Sequence, residues 1–337
     1  MVIPKWLEQG NTVGVTATSC GITDPIKIKR FQNGKAQLEK RGHRVLFTEN
    51  VFTADELGRS SDGKTRGAQF NSLLRNEQVK TIFTAAGGDY LVEMLPYVDY
   101  EYWREHPKWV QGYSDNTSLL YTMTTKYDVA TAYGCHFSEF GMEPWQPPVE
   151  NAYEVISGKR SMQHSFEAYE DGFYAYETGL EGYRADKPVY WKNGRGEQEI
   201  ALEGRLIGGC LDVLFFLAGT PYDGTLSFVE RYAQDGILWY LETFSGSSEQ
   251  LEMHLWQLKQ MGWFAHAKGF VFGRPLFYQS FSETSYEKAV LYALEELNVP
   301  IIFDADIGHK GPQFTMINGA MAQVISKDGK GSIKYTI

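Results

Sequence analysis

Residues 109–120, Trp109-Val110-Gln111-Gly112-Tyr113-Ser114-Asp115-Asn116-Thr117-Ser118-Leu119-Leu120, run from a short apolar strand through a sharp turn into a helix. Strand, turn and helix in that order make half of a βαβ unit, and the chain before them repeats the pattern. Thr12–Thr16 reads as a strand, Lys27–Arg41 as a helix stopped by Gly42, and Arg44–Phe47 as a second strand. Thr65–Arg75 reads as a helix, and Thr81–Thr84 as a strand running into the turn Ala85-Ala86-Gly87-Gly88. The helix after Ser114 extends from Thr117 to about Lys126. This alternation predicts an α/β fold whose N-terminal domain, residues 1–140, is a mostly parallel sheet flanked by helices.

Past residue 140 the character changes. Pro144, Pro147 and Pro148 cluster, and Gly172, Gly179, Gly182, Gly194 and Gly196 follow among polar and aromatic residues, so 141–203 is assigned to a linker and loop region. A C-terminal α/β domain with β-rich parts is expected over 204–337. Its elements are a strand at Gly204–Ile207, a helix near Leu211–Ala218, strands Gly236–Leu241 and Gly269–Phe272, and a helix near Glu249–Met261. A helix from about Ser285 to Leu297 and the strand Ile301–Asp304 complete it, and Ala322–Ile337 alternates around Asp328-Gly329 as a hairpin does.

The 337 residues are 43% hydrophobic and 22% charged, enough to bury a full core without metal or disulfide. Lys plus Arg number 32 against 42 Asp plus Glu, and the net charge of −10 opposes binding to nucleic-acid polymers or anionic membranes. Three cysteines, Cys20, Cys135 and Cys210, without C-x-x-C spacing read as free thiols in a reducing compartment. Residues 1–11 lack an apolar stretch of signal-peptide length. The most apolar segment, Leu206–Leu217, is broken by Gly208, Gly209 and Asp212 and falls short of the roughly 20 residues that span a bilayer. The expected location is the cytoplasm.

A serine between a strand and a helix start is where a nucleophile elbow lifts its hydroxyl above a sheet edge, which makes Ser114 a candidate nucleophile. The G-x-S-x-G pattern is incomplete, because Asn116 stands where the last glycine would be. In the alternative reading, Ser114 or Asp115 only caps the following helix. A serine needs a base and a group that orients the base. His309, in Asp304-Ala305-Asp306-Ile307-Gly308-His309, lies just past a strand end on a loop that a glycine lets turn back. The same segment admits a metal reading through Asp304, Asp306 and His309. Cys135-His136 suggests a thiol nucleophile, but adjacent side chains on a strand point to opposite faces. Glu242 closes the apolar strand 236–241 at the edge where open α/β sheets gather their sites, and is the candidate acid; it could equally salt-bridge or cap a neighbouring helix. The glycine turn before Asp89 offers backbone amides that could complete an oxyanion hole with the amide of Asp115, or is a bare turn.

Together these segments resemble the LD-carboxypeptidase family of serine peptidases, which includes the microcin C immunity proteins. The resemblance rests on Gly87-Gly88-Asp89, Gly112-Tyr113-Ser114-Asp115-Asn116-Thr117, Leu241-Glu242-Thr243 and Asp306-Ile307-Gly308-His309, and it spans nearly the whole chain. It implies Ser114 as nucleophile, His309 as general base and then acid, Glu242 as the orienting carboxylate, and the amides of Gly88 and Asp115 as the oxyanion hole. It implies no metal or other cofactor, and a two-domain chain paired as a homodimer.

Within that family, murein enzymes remove D-alanine from a tetrapeptide, whereas immunity proteins cleave peptidyl or aminoacyl groups from a modified nucleotide. The long interval between Ser114 and Glu242, with Tyr190-Trp191-Lys192 inside it, resembles the immunity branch. The resemblance makes Trp191 a nucleobase-stacking residue, with Gly87 and Lys192 also in contact with substrate and Arg195 as a second cation for phosphate or carboxylate. A domain-interface role for Trp191 is the alternative. Ala86 stands where many murein enzymes carry arginine. The expected activity is therefore cleavage of microcin C-type aminoacyl-nucleotide conjugates. Murein tetrapeptide carboxypeptidase, a non-catalytic small-molecule binding protein and an unrelated esterase are the alternatives.

Overall fold

Thr12–Thr16, buried at every position, forms β1 of a six-stranded sheet in the computed structural model, which describes residues 1–337. Its parallel partners are β2 (Arg44–Phe47) and β3 (Val79–Thr84); β4 (Trp109–Gly112) pairs with β3, and β5 (Thr131–Tyr133) with β4, again in parallel. Between the strands run α1 (Pro25–Lys40), α2 (Gly63–Arg75), α3 (Tyr100–Glu105) and α4 (Thr117–Tyr127). The first two begin two residues ahead of the expected Lys27 and Thr65, because Asp24 and Asp62 cap them: their carboxylates accept the amides of Lys27 and Thr65. Helix α4 is buried from Thr117 to Thr125 although it is rich in threonine. Its hydroxyls are satisfied locally, Thr122 donating to the Ser118 carbonyl and Thr125 to that of Tyr121.

The region assigned to a linker is largely built into the fold. It supplies α5 (Pro147–Ile156) and the short strands β6 (Met162–His164), β7 (Ala168–Tyr169), β8 (Lys187–Pro188) and β9 (Lys192–Asn193). Strand β10 already begins at Glu199 and runs to Cys210, five residues before the expected start. Residues 199–204 alternate exposed and buried, with Glu199, Ala201 and Glu203 facing outward, so the run does not read as a core strand.

The second sheet has eight strands in the order β6, β18 (Lys330–Thr336), β17 (Met321–Lys327), β10, β11 (Ile237–Glu242), β13 (Ala267–Gly273), β15 (Ile301–Ala305) and β9. Its parallel centre is β10, β11, β13 and β15. Helices α6 (Leu211–Leu217), α7 (Thr225–Arg231), α8 (Ser248–Gln260) and α9 (Tyr286–Ala293) lie between these strands, and β12 (Ser245–Gly246) pairs with β14 (Phe277–Tyr278) beyond the sheet. The chain then crosses back. β16 (Met316–Asn318) pairs antiparallel with β5 in the first sheet before β17 and β18 close the second. The expected hairpin is that last pair, with Asp328 and Gly329 both at positive φ as a two-residue turn requires. The architecture is thus α/β with two sheets, and the exchange of β16 locks them together. No helix is long and apolar enough to cross a membrane.

Candidate active site

The elbow is built as the strand–helix junction suggests. Tyr113 is extended, Ser114 has φ of +62°, and Asn116 is already right-handed at the start of α4. A positive φ in a non-glycine residue stores strain, and the surroundings hold it in place. Asn116, the departure from the glycine pattern, does this work: its Oδ1 accepts from Thr18 Oγ1 at 2.5 Å, and its Nδ2 donates to the carbonyls of Ala86 (3.0 Å) and Tyr113 (3.1 Å). The Asp115 carboxylate accepts from Ser19 Oγ at 2.6 Å and from the Leu91 amide at 2.9 Å, and burial pushes its pKa up to about 6. Elbow and glycine turn are therefore one unit. Gly87 lies directly against the nucleophile candidate, since a Cβ there would be 3.1 Å from Ser114 Oγ.

His309 arrives from the loop after β15 and Glu242 from the end of β11. His309 Nε2 is 2.9 Å from Ser114 Oγ, and its Nδ1 is 2.8 Å from Glu242 Oε2. Gly308, at φ +93°, permits this approach, because a Cβ there would lie 2.7 Å from Glu242 Cδ. Burial disfavours the charged forms of both groups, and each favours the charged form of the other. The His309 charge and its hydrogen bond, with the bond from Tyr133, leave Glu242 below its ordinary range. Glu242, with Asp212 behind it, raises His309.

Two more groups complete the environment. Tyr133 Oη donates to Glu242 Oε1 at 2.6 Å and accepts from the Ser114 amide at 3.1 Å. His136 stacks on Tyr113 with centroids 4.2 Å apart and pairs with Thr84 Oγ1 at 2.9 Å; burial, then the nearby His309, drives its pKa down to about 3, so it is neutral. Cys135 faces elsewhere, bonded by Gln111 and with its thiol pushed up by burial, so no thiol–imidazole pair forms. Neither Tyr133 nor His136 carries a spacing signal; strand ends in an apolar sheet look alike from sequence.

A cleft of about 230 Å³ opens from this cluster, lined on one side by Ala86, Tyr113 and His309 and on the other by residues 170–184, with Phe173 and Tyr174 exposed. Three expected substrate contacts are not in it. Trp191 is buried (2% exposed), its indole N–H donating to Asp306 Oδ2 at 3.0 Å. The Lys192 ammonium lies between Asp304 (2.7 Å) and Glu287 (2.9 Å), which raise its pKa against the opposing effect of burial. Arg195 reaches the Val299 carbonyl. The strand pairing of Lys192 and Asn193 with β15 turns this stretch to the far edge of the second sheet, where Trp191 packs against Phe314 and its amide donates to the Gly329 carbonyl. Asp304, Asp306 and His309 do not converge on a metal: their partners are Lys192, Arg274 with Trp191, and Ser114 with Glu242.

A serine on a strained elbow, in line with an imidazole whose second nitrogen meets a buried carboxylate, is the arrangement by which serine hydrolases activate a hydroxyl. The chain belongs to the LD-carboxypeptidase family, and so to the serine peptidases: residues 13–134 match that family's N-terminal domain and residues 203–324 its C-terminal domain. YocD of Bacillus subtilis, named as a carboxypeptidase, is 28% identical over 97% of both chains. The microcin C7 self-immunity protein MccF of Escherichia coli is 26% identical over 92% of this chain and 89% of its own. Among solved structures, an MccF-like protein from Bacillus anthracis superposes with a TM-score of 0.82 at 26% identity over 99% of each chain.

Proposed function

We propose that this chain is a serine carboxypeptidase or amidase that uses Ser114, His309 and Glu242 to cleave peptidyl- or aminoacyl-nucleotide conjugates of the microcin C type. The observation that carries the reading is the unbroken pair of contacts at His309, 2.9 Å to Ser114 Oγ and 2.8 Å to Glu242 Oε2. Ser114 Oγ attacks the scissile carbonyl while His309 Nε2 takes its proton. The amides of Gly88 and Asp115 hold the oxyanion, and His309 returns the proton to the departing amine. Water then repeats the sequence on the acyl-enzyme. Glu242 keeps the Nδ1 proton in place and stabilises the imidazolium.

The conjugate is favoured over a murein peptide by the cleft itself. The exposed rings of Phe173 and Tyr174 are available to a nucleobase, and the turn at 85–88 has no arginine to meet a terminal carboxylate. The similarity to MccF, a self-immunity protein, points the same way. The proposal includes a cytoplasmic homodimer; beside the Phe215–His254 stack that joins α6 to α8, Phe216, Met253 and Trp256 are exposed and would supply apolar surface for a second copy to cover.

The test is incubation of the protein and its Ser114→Ala variant with aspartyl-sulfamoyl-adenosine and, separately, a murein tetrapeptide, with products followed by mass spectrometry. Ser114-dependent cleavage of the conjugate alone is expected. Release of D-alanine alone would transfer the protein to cell-wall recycling, and cleavage of neither would favour a binding protein.

A further inference from the structure

The Tyr133 hydroxyl touches two of the three groups of the relay. Tyr133 ends β5 in the first sheet, fully buried, with its ring 6.3 Å from that of Tyr113 and 5.6 Å from that of Tyr240. The directions of its two hydrogen bonds are fixed by chemistry. A backbone N–H can only donate and a carboxylate can only accept, so the single phenolic proton points at Glu242 Oε1 and the oxygen receives the Ser114 amide.

We infer that Tyr133 is the positioning residue of the relay, joining the carboxylate on the second sheet to the nucleophile's own backbone on the first. The inference rests on the reading of Ser114, His309 and Glu242 given above. Tyr133 occupies one carboxylate oxygen of Glu242, which leaves the other aimed at His309 Nδ1. It also gives a partner to the amide of a residue held at φ +62°, so that the strained elbow does not leave a bare N–H beneath it. The other titratable groups facing Glu242 and His309 are Tyr113 beside the elbow, Cys210 at the end of β10, Asp212 in α6, Tyr240 in β11, Tyr286 in α9 and His136 beyond β5. Among the hydrogen bonds of this site, only those of Tyr133 and His309 reach both Glu242 and Ser114. Tyr133 also sets how much of the Glu242 charge is available to His309, because a carboxylate that already accepts a strong O–H bond is a weaker base toward its second donor.

The test uses a fluorophosphonate probe, which reads the reactivity of Ser114 without requiring the natural substrate. Tyr133→Phe keeps the ring and removes the hydroxyl. Expected are a fall in kinact of about ten- to a hundredfold with KI changed less than about threefold. The acid limb of the pH profile should also move to higher pH, since the unshared Glu242 charge holds the proton on His309 more strongly. A 3-fluorotyrosine placed at 133 is nearly isosteric and a stronger donor, and should move the same limb to lower pH. If Tyr133→Phe does not fold, the direction of the fluorotyrosine shift decides alone. Unmoved limbs in both variants would overturn the inference, whatever the loss in rate, because a merely structural tyrosine does not tune His309. The underlying reading fails separately: wild-type protein that takes no label at Ser114 removes the relay itself, whereas labelled wild type with indifferent Tyr133 variants removes only the positioning role.

Discussion

The indole N–H of Trp191 donates to the carboxylate of Asp306 across 3.0 Å, three residues before His309 in the chain. Asp306 is fully buried and also bound by Arg274 at 2.8 Å and by the Phe166 amide at 3.3 Å, so this tryptophan braces the loop that delivers the histidine. Trp191→Phe should therefore lower stability by about 1–3 kcal/mol, the cost of one lost bond to a buried charge. Its effect on a nucleotide conjugate and on an aminoacyl amide that lacks the nucleobase should be equal. Thermal unfolding and paired kcat/KM values check this, and a loss confined to nucleotide substrates would restore Trp191 to the cleft.

Ser114 separates strain from chemistry. Ser114→Ala and Ser114→Gly should both lower kcat by several orders of magnitude, since relay members act as a unit. Only the glycine variant relieves the φ of +62°, and it should be more stable than the alanine variant by about 1 kcal/mol. Calorimetry of the two variants distinguishes them; equal stability would mean that the elbow is not strained.

The acid limb of kcat/KM should lie above the ordinary histidine value of 6.5, because Glu242 raises His309 despite its burial. Glu242→Gln removes that charge while the burial remains, so the limb should fall below that of the wild type as the rate drops by about 10²–10⁴. Stability follows the same signs. The His309 contribution is complete below 6.5 and is lost as pH rises through its higher folded value; the Glu242 contribution is present above 4.5 and is lost as pH falls through its lower folded value. A pH–rate series with both proteins checks the first claim and a pH series of unfolding the second.

Neighbouring glycines should respond differently. Gly88 has φ of +147°, and a Cβ there would run into Ser19 and lie 2.6 Å from Cys20 Sγ, so Gly88→Ala should cost about 2 kcal/mol or more in stability as well as activity. At Gly87 a Cβ meets Ser114 Oγ at 3.1 Å and His136 Nε2 at 3.6 Å. Gly87→Ala should fold nearly as well as the parent but slow acylation about tenfold or more by crowding the reacting hydroxyl. Melting curves beside single-turnover rates separate the two effects.

Much of this protein is local and so could be read along the chain. Alternating strands and helices, and Asp328-Gly329 as a hairpin turn, depend on neighbours a few residues away. Ser114, Glu242 and His309 stand at strand ends, where parallel sheets expose their carboxyl edges, and that position is itself a sequence pattern. What lay outside the sequence was decided by packing between distant segments. The return of β16 to the first sheet, the recruitment of 162–164 and 192–193 as edge strands, the burial of Trp191 against Asp306 and the bridge of Tyr133 from Ser114 to Glu242 join residues 19 to 187 positions apart. A hydrogen bond or a strand register depends on a separation of a few ångströms in space, and no periodicity along the chain carries that information.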